Sequence, residues 1–183
     1  MKKLIPIVLL AAAGLGTAHA EAASPVMDDT VCRETAVRTI ETLAVSITVD
    51  GDSSVKNAET VAAIVDSCDS PRVRMAAIAA CNGGLTAAAD EPTISIAKIM
   101  EKLCGDDRNC AEFAVSVLDR GISDNAEPTV SVARSIVEIV KQAPYEEVKT
   151  AAIASLSKGI AEGNKHPGEE MSAAIEEVEN LRR

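Results

Sequence analysis

Aromatic side chains are almost missing from this sequence: it has no tryptophan, and Phe113 and Tyr145 are its only phenylalanine and tyrosine. That removes the stacking platforms on which proteins lay bases and sugar rings. Histidine is nearly as scarce. His19 lies among the first twenty residues, and His166 stands in a loop between Lys165 and Pro167. Histidine-based metal centres and His-containing catalytic triads each need an imidazole with fixed partners, which a lone loop histidine does not supply. There is no phosphate-cradling glycine loop, since Gly83-Gly84 is an isolated pair at the end of a helical stretch, and there is no Cys-x-x-Cys. Asp50-Gly51-Asp52-Ser53-Ser54 has acids spaced like the opening of a calcium loop, but Lys56 falls inside and Val61 takes the twelfth place, where a bidentate glutamate belongs. It reads as a plain acidic turn. No metal and no cofactor is expected.

The chain begins with Lys2 and Lys3, an apolar core over residues 4–15 and the small-x-small site Ala18-His19-Ala20. That pattern is a secretory signal peptide over residues 1–20, too short for a comfortable membrane span. No cysteine lies near the cleavage site, so no lipid anchor is expected there. No later stretch approaches the roughly 18 uninterrupted apolar residues that a transmembrane helix needs. The short, lysine-led signal looks bacterial, and the expected location is periplasmic or extracellular. Residues 21–27 are a loose leader, and residues 28–183 form a single domain. The full chain carries a net charge of −10; without Lys2 and Lys3, 16 cations face 28 acids, a net of −12. Such a surface repels nucleic acid and anionic lipid. Basic partners or cations are favoured at long range.

What is abundant is alanine, valine and isoleucine, and their landmarks repeat. Ser46-Ile47, Gly84-Leu85, Gly121-Ile122 and Gly159-Ile160 follow one another at spacings of 38, 37 and 38, and Ile40, Ile78, Val115 and Ile153 fall in register. Four units follow, over residues 28–68, 69–104, 105–143 and 144–183, each expected to hold two helices. Pro71 and Pro144 mark the starts of first helices, Pro92 and Pro128 those of second helices. The glycine near each first helix's end is expected to be its C-terminal cap. In the third unit Val130, Ala133, Val137 and Val140 follow helical spacing, opposite a stripe of Ser131, Arg134, Glu138 and Lys141. Residues 43–49 are β-branched enough to fray or bend a helix.

Asp69-Ser70-Pro71-Arg72-Val73-Arg74-Met75-Ala76-Ala77 resembles the first-helix signature of HEAT repeats, in which an acid, a proline and a Val-Arg pair precede small residues. The run from Pro144 through Val148 and Lys149 to Ala152 is a weaker copy. The first and third units lack the proline, and Cys110 stands where Val73 and Val148 stand. The resemblance implies an all-α fold, a short α-solenoid of about four HEAT-like helix pairs, which is commonly a binding scaffold. It implies no catalytic residue.

All five cysteines lie beyond the signal peptide, and an oxidising compartment favours disulfides. The repeat register pairs Cys32 with Cys68, at the start and end of an antiparallel helix pair. It also pairs Cys104 with Cys110 across the tight Gly105-Asp106-Asp107 connection. Cys81, among alanines, is left as a buried thiol. The stripe Ser95, Lys98 and Lys102 of the second unit matches Arg134, Glu138 and Lys141 of the third, giving a locally basic patch on an acidic protein. In solenoids that this chain resembles, second helices line the concave face, so this stripe is the expected anchor for an acidic protein segment. The expected function is therefore non-enzymatic binding or scaffolding of a protein or peptide partner. An enzyme of lyase type working with carboxylates alone is the alternative, and a secreted stress or structural protein a third reading.

Overall fold

The computed structural model describes residues 29–48, 52–85, 90–122, 126–162 and 165–181. The expected signal peptide and leader lie outside the described residues. Eight α-helices account for nearly all of the rest, and no strand occurs among the described residues: α1 (Asp29–Ala44), α2 (Asp52–Ser67), α3 (Pro71–Cys81), α4 (Asp90–Cys104), α5 (Arg108–Leu118), α6 (Ala126–Gln142), α7 (Glu146–Glu162) and α8 (Lys165–Asn180). No described helix is long and apolar enough to cross a membrane.

Local chemistry explains the helix starts. Ser70 caps α3, its Oγ accepting from the Val73 N–H at 3.3 Å, with Pro71 in the first helical position where its missing N–H costs nothing. Asp107 does the same for α5, accepting from the Cys110 N–H at 2.8 Å. Pro92 and Pro128 sit in the first turns of α4 and α6 as expected. Pro144 falls two residues short of α7, and Pro167 sits in the first turn of α8. His166 therefore belongs to that helix and not to a loop, and its side chain lies outside the described residues. The β-branched run after α1 leaves the helix at Val45, whose side chain is exposed.

Helices two apart in sequence are neighbours: α1 packs on α3, α3 on α5 and α5 on α7, while α2 packs on α4, α4 on α6 and α6 on α8. The odd helices thus form one row and the even helices another, with consecutive helices packing across. The core lies between the rows. Ile40, Ile78 and Val115 line it from the odd row, Ile96, Met100, Ile136 and Ile139 from the even row, all with no solvent exposure. Each such side chain stabilises the fold by about 1.5–3 kcal/mol on full burial. Phe113 is only partly buried at the edge.

The glycines do a different job from the expected one. Among the described residues only Gly105 has positive φ, at 55°. Gly84 and Gly121 instead close single 3-10 turns (Asn82–Gly84 and Asp119–Gly121), and Gly159 is helical. Each lies where side chains of the facing even helix and of a preceding segment close in together. A Cβ on Gly121 would stand 2.9 Å from Val132 Cγ2 and 3.3 Å from Thr93 Cγ2, and one on Gly159 2.6 Å from Ile122 Cγ2. One on Gly84 would overlap Ile96 Cδ1 and lie 3.1 Å from Ile47 Cγ2. Ile47 after α1 and Ile122 after α5 therefore fill the space above Gly84 after α3 and Gly159 in α7. Polar contacts follow the same step along the odd row, Arg120 Nη1 donating to Asn82 Oδ1 at 2.8 Å and Lys158 Nζ to Asp119 Oδ2 at 2.8 Å.

The two ends of the fold are tied separately. Cys32 of α1 and Cys68 after α2 are at disulfide distance, with Cα atoms 6.2 Å apart, as the register implied. At the other end Lys149, 9% exposed, sends its ammonium to the Leu181 carbonyl just past α8 and pairs with Glu146 at 3.5 Å.

Two stability changes follow. Gly121→Ala should cost about 1–3 kcal/mol through overpacking, whereas Gly168→Ala, with nothing within 4 Å of its added Cβ, should be neutral or stabilising by up to about 1 kcal/mol as a helix substitution. Equal melting temperatures for the two variants would refute the close-approach account. Replacing Cys32 and Cys68 together by serine should remove about 3–4 kcal/mol on the loop-entropy model, measured by chemical denaturation against the oxidised wild type.

Candidate functional site

The even row presents a continuous face built from α2, α4, α6 and α8, and it holds every residue of the expected binding stripe. Lys98 and Lys102 project from α4, exposed and without an ion pair among the described residues. On α6 the charges are already engaged. Arg134 Nη2 stands 4.0 Å from Glu170 Oε2, and Lys141 Nζ is 2.6 Å from Glu138 Oε1 and 2.9 Å from Glu177 Oε1. Hydrogen bonds first to Glu138 and then to Glu177 push the Lys141 ammonium above its ordinary range.

The expected basic patch is therefore confined to α4, and over α6 and α8 the cations Arg134 and Lys141 are outnumbered by Glu138, Glu170 and Glu177. The reason is geometric. Glu170 and Glu177 lie 36 residues beyond Arg134 and Lys141, as Arg134 lies 36 beyond Lys98. Second helices that run side by side in that register bring the acids of α8 onto the cations of α6. The signal was present in the sequence, but only in the register between helices and not on any one of them.

Glu101 was not among the expected residues. It is half-buried between α4 and α6, and burial raises its carboxyl above the usual range; a hydrogen bond with Ser135 opposes this and the Glu138 carboxylate adds to it. Two clefts open on the same face. One of about 350 Å³ between α6 and α8 has a floor of Val130, Ala133, Val137 and Ala174 and a rim of Arg134, Glu138, Glu170 and Glu177. The other, about 650 Å³, lies between α2 and α4 and is lined by Val55, Lys56, Glu59, Glu91, Pro92, Ile94 and Ser95. Small apolar floors with charged rims suit side chains of a peptide better than an enclosed small molecule.

Asp50 and Gly51 of the acidic turn lie outside the described residues, as does Asp124. No group of three or more metal-ligating side chains occurs among the described residues.

At the edge where odd helices start and even helices end, the cysteines resolve differently from the expected pairing. Cys104 and Cys110 are both buried thiols and the bridge between them is not formed. Each sulfur is turned onto a backbone carbonyl: Cys104 Sγ to Met100 at 3.1 Å in its own helix, Cys110 Sγ to Pro71 at 3.7 Å. Beside them Arg74 grips Asp69 through two bonds, Nε to Oδ1 at 2.6 Å and Nη2 to Oδ2 at 2.5 Å, and donates from Nη1 to the Cys104 carbonyl at 3.3 Å. The guanidinium hydrogen bond holds the Asp69 carboxyl below its usual range. Cys81 is a buried thiol pushed up to about 12 by desolvation. No protein-family model matches the chain, and no curated protein is similar to it.

Glu101 gives the face a pH signature. Because its folded pKa is raised, ionisation opposes folding, and stability is lost as pH rises from the ordinary glutamate value of 4.5 through the folded one. Glu101→Gln should raise the melting temperature at pH 7 by about 1–2 °C after solvent screening is allowed for. The gain should vanish below pH 4, and a gain equal at both pH values would contradict this origin.

Proposed function

We propose that the chain is an exported, short HEAT-like α-solenoid acting as a non-enzymatic binding module, and that it takes a protein segment along the face of its second helices. The observation that carries this reading is the continuous α2–α4–α6–α8 face with its two shallow clefts. Supporting the solenoid are the 37–38-residue spacing of the glycine landmarks and the neighbour relation between helices two apart. Supporting export are the lysine-led leader and the disulfide-distance pair Cys32–Cys68. The periplasm or the extracellular medium is the compartment this implies.

Charge directs how a segment would lie. Lys98 and Lys102 are exposed beside Glu101 on α4, and Lys56 is exposed at the neighbouring cleft, so acidic residues of the segment meet α2 and α4. Its apolar side chains enter the floor formed by Val130, Ala133 and Val137. The carboxylate-only enzyme remains the second reading, and the observation in its favour is Glu101, raised by burial next to Glu138.

In-cell crosslinking of the tagged protein, followed by mass spectrometry of the joined residues, tests the binding reading. Crosslinks from Lys98, Lys102 and Lys141 to one dominant envelope protein are expected. Lys98→Glu combined with Arg134→Glu should abolish them with the helical circular dichroism unchanged, since both side chains are exposed. Undiminished capture by the double variant would rule this face out. Self-crosslinks alone would favour the structural-protein reading.

A further inference from the structure

The connection between α4 and α5 gathers more sulfur chemistry than a turn needs. Cys104 ends α4 and Cys110 stands in the first turn of α5, both with no solvent exposure. The two residues touch across the connection, Cys104 Sγ lying 3.9 Å from the Cys110 carbonyl oxygen. Gly105 turns the chain back with φ 55°, a conformation that a side chain would strain. A Cβ there would also meet Arg74 Nη1 at 2.5 Å, so the turn is clamped from outside.

Among the described residues no third ligand joins the sulfurs in a metal-type group, so the pair is a dithiol. Backbone carbonyls satisfy its S–H groups only weakly. The arrangement also repeats one already closed: Cys32 and Cys68 likewise join the start of an odd helix to the end of an even one.

We propose that Cys104 and Cys110 form a thiol–disulfide exchange site, oxidised by a disulfide donor to an intramolecular bridge that staples α4 to α5. The Cys110 sulfur attacks one sulfur of the donor RSSR. A mixed disulfide Cys110–SR forms and RS⁻ leaves. Cys104 then attacks the Cys110 sulfur, forming the Cys104–Cys110 bond and expelling the second RS⁻. Two thiols lose two electrons and two protons, and the donor becomes two RSH. Burial pushes the Cys110 thiol up to about 12 and Cys104 higher still. Thiolate is scarce in the closed fold, so the exchange belongs to folding or to opening of the 105–107 connection. The site does not depend on the proposed binding role.

The test is oxidative refolding of the reduced, denatured chain in a mixture of oxidised and reduced glutathione, followed by alkylation under denaturing conditions and tryptic mapping. Trypsin cuts after Arg108, between the two cysteines, so the bridge would join peptide 103–108 to peptide 109–120. That linked pair is expected together with Cys32–Cys68 and an alkylated Cys81. The intact mass should be about 4 Da below the fully reduced chain, two hydrogens per bridge. Cys104→Ser and Cys110→Ser should each lose only about 2 Da. Alkyl groups on both Cys104 and Cys110 after equilibration, or a bridge that recruits Cys81, would overturn the proposal.

Discussion

Ile47 seated over Gly84, and Ile122 over Gly159, are the contacts on which the rest of this structure depends. A core without tryptophan and with one half-buried phenylalanine cannot bridge a wide gap between helix rows. Helices must come close both along a row and between rows, and the same glycines permit both, since Gly84 also faces Ile96, Gly121 faces Val132 and Gly159 faces Met171 across the rows. Once they do, alanine, valine and isoleucine fill the interior, and Ile47 and Ile122 locate α3 and α7 against the helices that precede them in the odd row. The polar contacts along the odd row, the hydrogen bond of Arg120 to Asn82 and the ion pair of Lys158 with Asp119, decorate that fit and contribute little by themselves.

Much of this was legible in the residues. Proline at Pro71, Pro92 and Pro128, serine at Ser70 and the spacing of the apolar register residues mark helices, because capping and amphipathic period are local properties. The glycines were legible in place but not in purpose. A C-terminal cap and a packing hole both call for the smallest residue near a helix end, and only the backbone angles distinguish them. Asp107 caps α5, a role that its place in the tight Gly105-Asp106-Asp107 connection does not announce.

The face of the second helices shows the limit of reading one helix at a time. Arg134 and Lys141 look like free cations on α6, yet Glu170 and Glu177 stand opposite them one helix further on. Glu101 escaped notice for the same reason: the side chains that act on it, Ser135 and Glu138, stand on α6, 34 and 37 residues away. By contrast the Asp69–Arg74 grip is local, five residues apart, and it anchors the edge on which four of the five cysteines gather.

The lysine clasp at the far end changes how neighbouring molecules can meet. A row of helices that each expect another on one side is an invitation to grow, and heterologous end contacts that do not close run on into fibres. Lys149 draws in the end of α8, and the outward side of that helix shows Glu169, Ser172 and Glu176 to water in place of an apolar stripe. A second molecule approaching that end meets carboxylates on a protein already strongly negative. Carboxylates on the outward side of α8 therefore oppose the docking of a second copy against that side by charge repulsion.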